Sequence, residues 1–243
     1  GEGIKMLKEA GIQVHLGLCR KESLDLNKAF IHRNVTNKAF GVLKWAMSID
    51  GRIGLKNGKS KWITNEESRS LVHSFRAEFD AIVIGGNTLR IDNPILTTRG
   101  FKSPEPLRVV FTKTLDLPAK SNLWNSNEAK TIVIYVSSTA NEKFLSRIPQ
   151  CVEVEKVSTD NPELVSKLLA KRGCNKVLWE CGPNLATSAI KSGCINEIIS
   201  FIAPKILGGE NSKNPFGDFK FTEMHEIIEL SESHTSFCDN DIC

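Results

Sequence analysis

The residues best suited to chemistry are a lysine inside an alternating apolar strand, an arginine beside a helical apolar stripe, and a glutamate at a strand tip. Lys44 lies in Phe40–Ile49, where Phe40, Val42, Lys44, Ala46 and Ser48 fall on one face. Gly41, Leu43, Trp45, Met47 and Ile49 fall on the other, expected to be core. Taken alone, a lysine reaching solvent from a half-exposed strand is the simpler reading; its small neighbours would equally let a ligand approach. Glu180 ends the apolar run Lys176–Glu180, where open α/β sheets place ligands. An exposed acidic tip is the plainer alternative. Arg76 follows Phe75 in the stripe Leu71, Phe75, Phe79, and is expected to reach a buried or cleft position.

Three further stretches suit a nucleotide. Gly58-Lys59-Ser60-Lys61-Trp62-Ile63-Thr64 sets small and polar residues beside a tryptophan, which could line a pocket or anchor the core. Ala81–Ile84 runs into Gly85–Gly86, where backbone can approach a phosphate, although a simple turn fits as well. Cys181–Gly182–Pro183–Asn184 opens a helix whose free N–H groups attract anions. No G-x-G-x-x-G, Walker loop or G-x-S-x-G elbow is present. The five histidines are scattered, with no H-x-E and no paired cysteines, so no metal is expected. His73 reads as a helix-surface residue.

These side chains need a scaffold. Strand signals fall at Phe40–Ile49, Ala81–Ile84, Leu107–Thr112, Thr131–Val136, Cys151–Val157, Lys176–Glu180 and Glu197–Ala203. Helix signals fall at Asn65–Phe79, Asn141–Ile148, Pro162–Lys171 and Leu185–Ser192, with Thr64 and Glu67 as a capping box. The alternation predicts an α/β fold with a mostly parallel central sheet flanked by helices. Loops are expected at 99–106, 113–130 and 205–222. Glu226–Glu229 and Thr235–Ile242 read as an antiparallel pair. Residues 1–36 read as helix Gly3–Ala10, strand Gln13–Gly17 and helix Lys21–His32, too little to fold alone.

The 243 residues carry 32 basic and 28 acidic side chains, with no run of five like charges, which argues against nucleic acid as a partner. No apolar run approaches the ~20 residues of a membrane span. Seven cysteines, an odd number without C-x-x-C, suggest reduced thiols, and a Cys238–Cys243 disulfide is not expected.

In order, the motifs Lys44-Trp45-Ala46-Met47-Ser48-Ile49-Asp50-Gly51-Arg52-Ile53, Gly58–Thr64, Ser68-Arg69, His73, Arg76-Ala77, Asp80–Gly85, Thr88, Asp92–Arg99, Glu180–Leu185 and Ile202–Gly209 resemble the reductase domain of the bifunctional riboflavin-biosynthesis deaminase/reductase family. The resemblance covers roughly residues 38–242. Residues 1–37 are similar to the tail of that family's deaminase domain, through Ala10-Gly11-Ile12-Gln13-Val14 and Leu26-Asn27-Lys28-Ala29-Phe30. The deaminase's zinc motifs are absent, so the chain is not expected to deaminate, as in a plant-type protein with a degenerate deaminase half. The ending Asp239–Cys243 fits a truncated last strand.

The resemblance implies a dihydrofolate-reductase-like fold and NADPH-dependent reduction of the ribosyl group of 5-amino-6-(5-phosphoribosylamino)uracil. It implies that Ala46, Trp62, Thr88, Asp92 and the segment Gly182, Pro183, Asn184, Leu185, Ala186, Thr187, Ser188 hold the cofactor. Lys44, Ser60, Arg76, Leu96, Arg99 and Glu180 would hold the substrate, with Arg76 and Arg99 on its phosphate. Lys44 and Glu180 are the catalytic candidates; which of them moves a proton stays open. A homodimer is implied, and a plastid location for a plant-type protein, otherwise a cytoplasmic one. The alternatives are a reductase of the not yet deaminated pyrimidinone and a non-catalytic scaffold.

Overall fold

The computed structural model describes residues 1–126 and 128–243. Among these residues nine strands form one sheet: β1 (Phe40–Ser48), β2 (Ala81–Gly85), β3 (Leu107–Thr112), β4 (Thr131–Val136), β5 (Glu153–Val157), β6 (Lys176–Trp179), β7 (Glu197–Ala203), β8 (Phe237–Cys238) and β9 (Asp241–Ile242). Their order is β5-β4-β3-β2-β6-β1-β7-β9-β8, parallel from β5 through β7. The last two run antiparallel. This is the α/β architecture with a mostly parallel sheet that the alternation predicts.

The central strands are apolar on both faces because both faces are covered. One layer joins Leu43, Val83, Val109, Ile132 and Trp179 to the helices α7 (Pro162–Lys171) and α8 (Pro183–Lys191) through Val165, Leu169 and Ala186. The other joins Val42, Ile82, Val110, Val133 and Leu178 to Phe79, Leu89, Leu123 and Trp124. The assignment of a single core face to β1 is therefore corrected. Phe40 and Val42 are as buried as Gly41 and Leu43, whereas Ile49 is exposed.

Several boundaries move for identifiable reasons. Helix α4 spans Glu66–Arg76, and its N-cap is Asn65 rather than Thr64. The Asn65 side chain accepts from the Ser68 N–H at 2.8 Å, and its own N–H donates to Asp241 at 2.7 Å. The buried Asp241 carboxylate also accepts from Ser68 Oγ, so the C-terminal hairpin fixes where α4 starts. Helix α8 starts two residues before the expected Leu185. The segment after β2 is a short helix, α5 (Gly86–Asp92), rather than a simple turn. Within the expected loop 113–130, Asn122–Asn125 form a single helical turn, α6; Asn127 of that loop lies outside the described residues. Residues Glu142–Arg147 form a 3-10 helix in place of an α-helix.

At the N-terminal end, α1 (Glu2–Glu9) is followed by irregular chain where strand Gln13–Gly17 was expected; no neighbouring strand pairs with it. The expected helix Lys21–His32 is two, α2 (Arg20–Leu26) and α3 (Lys28–Thr36), broken at Asn27. Glu226–Glu229 likewise forms no strand, and the terminal pair shrinks to the two-residue β8 and β9. All seven cysteines are free thiols, Cys238 and Cys243 among them.

Gly41 admits the Cys194 carbonyl so closely that an added Cβ would lie 1.8 Å from its oxygen. Gly41→Ala is therefore expected to force β1 away from the segment after α8 and cost about 3 kcal/mol or more. Urea unfolding followed by circular dichroism checks this; a change of about 0.5 kcal/mol or less would contradict the tight approach.

Candidate active site

Strand register builds the charged centre. Leu43 and Val83 both pair with Trp179, and the Glu180 N–H continues the ladder onto the Val83 carbonyl at 2.9 Å. Each one residue further along, Lys44, in the middle of β1, and Glu180, just past the end of β6, therefore lie side by side. Lys44 Nζ lies 3.9 Å from Glu180 Oε2. From α4, Arg76 closes a two-pronged fork on the same carboxylate: Nε to Oε1 at 2.7 Å and Nη2 to Oε2 at 3.0 Å. All three side chains are largely buried.

Burial by itself would push the Glu180 carboxyl upward, but the Arg76 and Lys44 charges and the Arg76 hydrogen bonds outweigh it and hold it at about 2. Burial also pulls Lys44 below the ordinary lysine value, with the Glu180 charge opposing. Glu180 is thus fixed as a carboxylate, while Lys44, weakly paired, is the group whose proton is loosened. Arg76 Nη1 donates to the Thr97 carbonyl at 3.2 Å, and His73 Nδ1 lies 3.1 Å from the same oxygen. The same His73 Nδ1 lies 3.3 Å from Arg76 Nη1, so the imidazole, the guanidinium and the Thr97 carbonyl form one cluster. His73 is a half-buried support of the centre rather than a helix-surface residue, and burial lowers its pKa.

The Thr97 carbonyl belongs to a loop bent at three left-handed residues, Asn93 (φ 41°), Leu96 (φ 58°) and Arg99 (φ 54°). Left-handed non-glycine residues cost about 1–3 kcal/mol each and persist only where the surroundings impose them. Here Glu105 accepts from the Thr98 N–H and hydroxyl, both at 2.7 Å, and Leu96 is buried. The loop brings exposed Arg99 close enough for its charge to act on His73.

Beside this centre lies a cavity of about 530 Å³ at the carboxyl ends of β2 and β3, walled by the starts of α5 and α8. Neither helix has a side-chain cap, since Gly85 and Gly182 hold the N-cap positions. Their unsatisfied N–H groups and positive helix ends suit phosphate oxygens. Arg90 and Lys213 add positive charge to the lining, while Lys113 is paired with Asp160, which also lines it. The donor set fits a phosphorylated dinucleotide.

Of the expected cofactor residues, Thr88, Gly182, Pro183, Asn184, Leu185 and Ser188 line this cavity. Ala186 and Thr187 turn inward: Ala186 joins the core, and Thr187 Oγ1 accepts from the Gly217 N–H at 2.8 Å. Ala46, Trp62 and Asp92 lie outside the cavity lining. Trp62 is 65% exposed, so it is no core anchor, and the Arg69 guanidinium sits 4.3 Å over its ring. Asp92 is raised mainly by burial, opposed by the Lys61 and Lys213 charges. Ser60 is half-buried in the loop beside Gly54. Sequence reasoning missed Arg90, Lys113, Asp160 and Lys213, which only strand order brings to one cavity and no local pattern marks.

Glu180→Gln leaves Arg76 and Lys44 without their counter-charge and is expected to cost about 3–5 kcal/mol at neutral pH. The Glu180 pKa is depressed, so its stabilisation is complete above the ordinary carboxylate range near 4.5 and fades as pH falls towards about 2. Urea titrations across that range check both statements; a wild-type-minus-variant difference that stays flat down to pH 2 would contradict the pairing.

Comparison with known proteins agrees with this geometry. Residues 39–243 match the family described as the RibD C-terminal domain. The riboflavin biosynthesis protein RibD of Synechocystis is 39% identical over 236 residues, covering 96% of this chain and 64% of that protein. The riboflavin biosynthesis protein PYRR, chloroplastic, of Arabidopsis thaliana is 39% identical over 242 residues, covering 95% and 40%. The chain thus spans less than two thirds of either relative. The structure of Acinetobacter baumannii RibD superposes with a TM-score of 0.85 at 27% identity, covering all of this chain and 67% of that one. That of a deaminase/reductase from Thermotoga maritima superposes with a TM-score of 0.86 at 25% identity, covering 100% and 66%. The fold is the dihydrofolate-reductase-like α/β fold, and the chain belongs to the RibD C-terminal domain family.

Proposed function

We propose that the chain is an NADPH-dependent reductase that converts the ribosyl group of 5-amino-6-(5-phosphoribosylamino)uracil to ribityl. The observation that carries this reading is the shared strand end: Glu180 closes the charged centre, and two residues later Gly182 opens the wall of the dinucleotide cavity. A cofactor bound by α5 and α8 and a sugar bound by Lys44 and Glu180 would meet there.

NADPH, when bound, supplies a hydride. The chain's own residues open the sugar and hold it. As the C1′–O4′ bond breaks, the amine lone pair forms an iminium with C1′, and O4′ takes a proton from the Lys44 ammonium. Hydride addition at C1′ then leaves the secondary amine, and Lys44 regains its proton from solvent. Glu180, held ionised by the Arg76 fork, positions Lys44 and accepts from ribose hydroxyls. Exposed Arg99 binds the phosphate; Arg76, with its fork on Glu180, positions the carboxylate.

Residues 1–37 are the tail of a deaminase-like domain, resting on the reductase part through α3, where Ala29 packs on the core and His32 lies edge-on to Phe40. In support, α1 to α3 contain no buried residue, and the family match begins at residue 39. Among the described residues no helix is long and apolar enough to cross a membrane. A plastid location accords with the word chloroplastic in the names of the Arabidopsis and Zea mays relatives. A homodimer completes the reading.

NADPH oxidation is measured at 340 nm with the deaminated and the not yet deaminated pyrimidine phosphates in parallel. Turnover of the deaminated compound is expected; turnover of the other alone assigns the earlier step, and NADPH consumption with neither leaves a non-catalytic scaffold. Lys44→Ala is expected to lower kcat by about 10³-fold or more while NADPH affinity, read by fluorescence, changes less than about twofold. Full activity in that variant removes Lys44 from the chemistry.

A further inference from the structure

Strand order gives the cavity beside Glu180 a direction. In space β6 is followed by β2 and then β3. Glu180 stands just past β6, and the two uncapped helix starts, Gly182 and Gly85, follow β6 and β2. Adjacent strands lie about 4.8 Å apart, so the end of β3 is about 10 Å from that of β6. A dinucleotide with its nicotinamide at Glu180 and its pyrophosphate on the helix starts must therefore extend its adenosine half towards β3. Lys113 stands there, the first residue past β3, and lines the cavity. Its ammonium is paired with Asp160, which lies just ahead of α7 and lines the cavity too; both side chains are exposed. The chain around Lys113 is fixed. Its carbonyl accepts from Thr139 Oγ1 at 2.8 Å, and Arg90 Nη1 donates to the nearby Asp116 carbonyl at 2.7 Å. Lys213, by contrast, enters from the β1 side, where the Ile53 N–H donates to its carbonyl at 2.9 Å.

An exposed lysine–carboxylate pair is weak and exchanges partners readily. A phosphate monoester carries about −1.5 to −2 charges near pH 7, against the single charge of a carboxylate, and outcompetes it for one ammonium. We propose that Lys113 binds the 2′-phosphate that separates NADPH from NADH, and that Asp160 competes with this phosphate and moderates the preference. Lys113 is then a specificity-determining residue of the cofactor site. When the 2′-phosphate is missing, Asp160 keeps Lys113 neutralised, so NADH meets no unpaired charge and loses only the phosphate contact. The inference rests on the dinucleotide reading of the cavity and adds to it the residues that read the adenosine end.

Coenzyme fluorescence titrations on the full chain, without substrate, compare NADPH with NADH. The unaltered chain is expected to bind NADPH about tenfold or more tighter. Lys113→Ala is expected to weaken NADPH about tenfold and NADH less than about twofold, and Lys113→Arg to keep the preference. Asp160→Asn is expected to tighten NADPH about threefold with NADH unchanged. Lys143→Ala, exposed and outside the lining, leaves both affinities as they are. Equal affinity for the two coenzymes in the unaltered chain, equal loss of both or loss of neither in Lys113→Ala, or weaker NADPH binding in Asp160→Asn overturns the proposal. Binding of neither coenzyme by the unaltered chain removes the dinucleotide reading itself and the proposal with it, so the two failures are told apart.

Discussion

The fork from Arg76 to Glu180 is the contact on which the functional end of the sheet depends. A carboxylate buried at a strand tip is untenable without a partner, and here the partner comes from a helix that precedes it by 104 positions. The fork ties α4 to β6. Through Nη1 it also fixes the Thr97 carbonyl, and through Glu180 it sets the electrostatics of Lys44 on β1. A helix, two strands and a bent loop therefore converge on a single charged pair. The consequence is chemical as much as structural, because a carboxylate held this way stays ionised, while burial draws Lys44 below the ordinary lysine value.

The cavity beside this centre follows a different logic. Its suitability for anions comes from backbone, at two helix starts where Gly85 and Gly182 withhold the side-chain cap that Asn65 and Asn161 provide at α4 and α7. Leaving those N–H groups open costs some helix stability and preserves donors for a ligand. Arg90 and Lys213 then extend the positive field beyond the helix ends, the Lys113 charge being met by Asp160.

Much of the scaffold was readable in advance. Leu107–Thr112, Thr131–Val136, Glu197–Ala203 and Pro162–Lys171 stand where the apolar runs and turn residues predict, because strands buried on both faces write themselves as continuous apolar blocks. Where the reading failed, a tertiary contact had decided. Gln13–Gly17 has strand-like residues but, among the described residues, pairs with no strand. Asn65 displaces Thr64 as cap because Asp241, far away in sequence, binds its N–H. At the site, Lys44, Arg76 and Glu180 could be nominated one at a time, yet the engagement of Arg76 by Glu180 was invisible, since nothing local distinguishes a fork aimed at a phosphate from one aimed at a carboxylate. The inward turn of Ala186 and Thr187 was hidden for a related reason. A contiguous motif on a helix rotates through every direction, and only some of its members can face the ligand.

Strand order carries a further implication. β6 is wedged between β1 and β2, although both are made long before it. Until residues 176–179 arrive, β1 and β2 cannot be joined into one sheet, and each leaves an unpaired apolar edge. A growing polypeptide released from the ribosome before that point would lack the keystone of its sheet and expose adhesive surfaces. Assembly is therefore late and non-local, so quality control during translation bears most heavily on this one short strand.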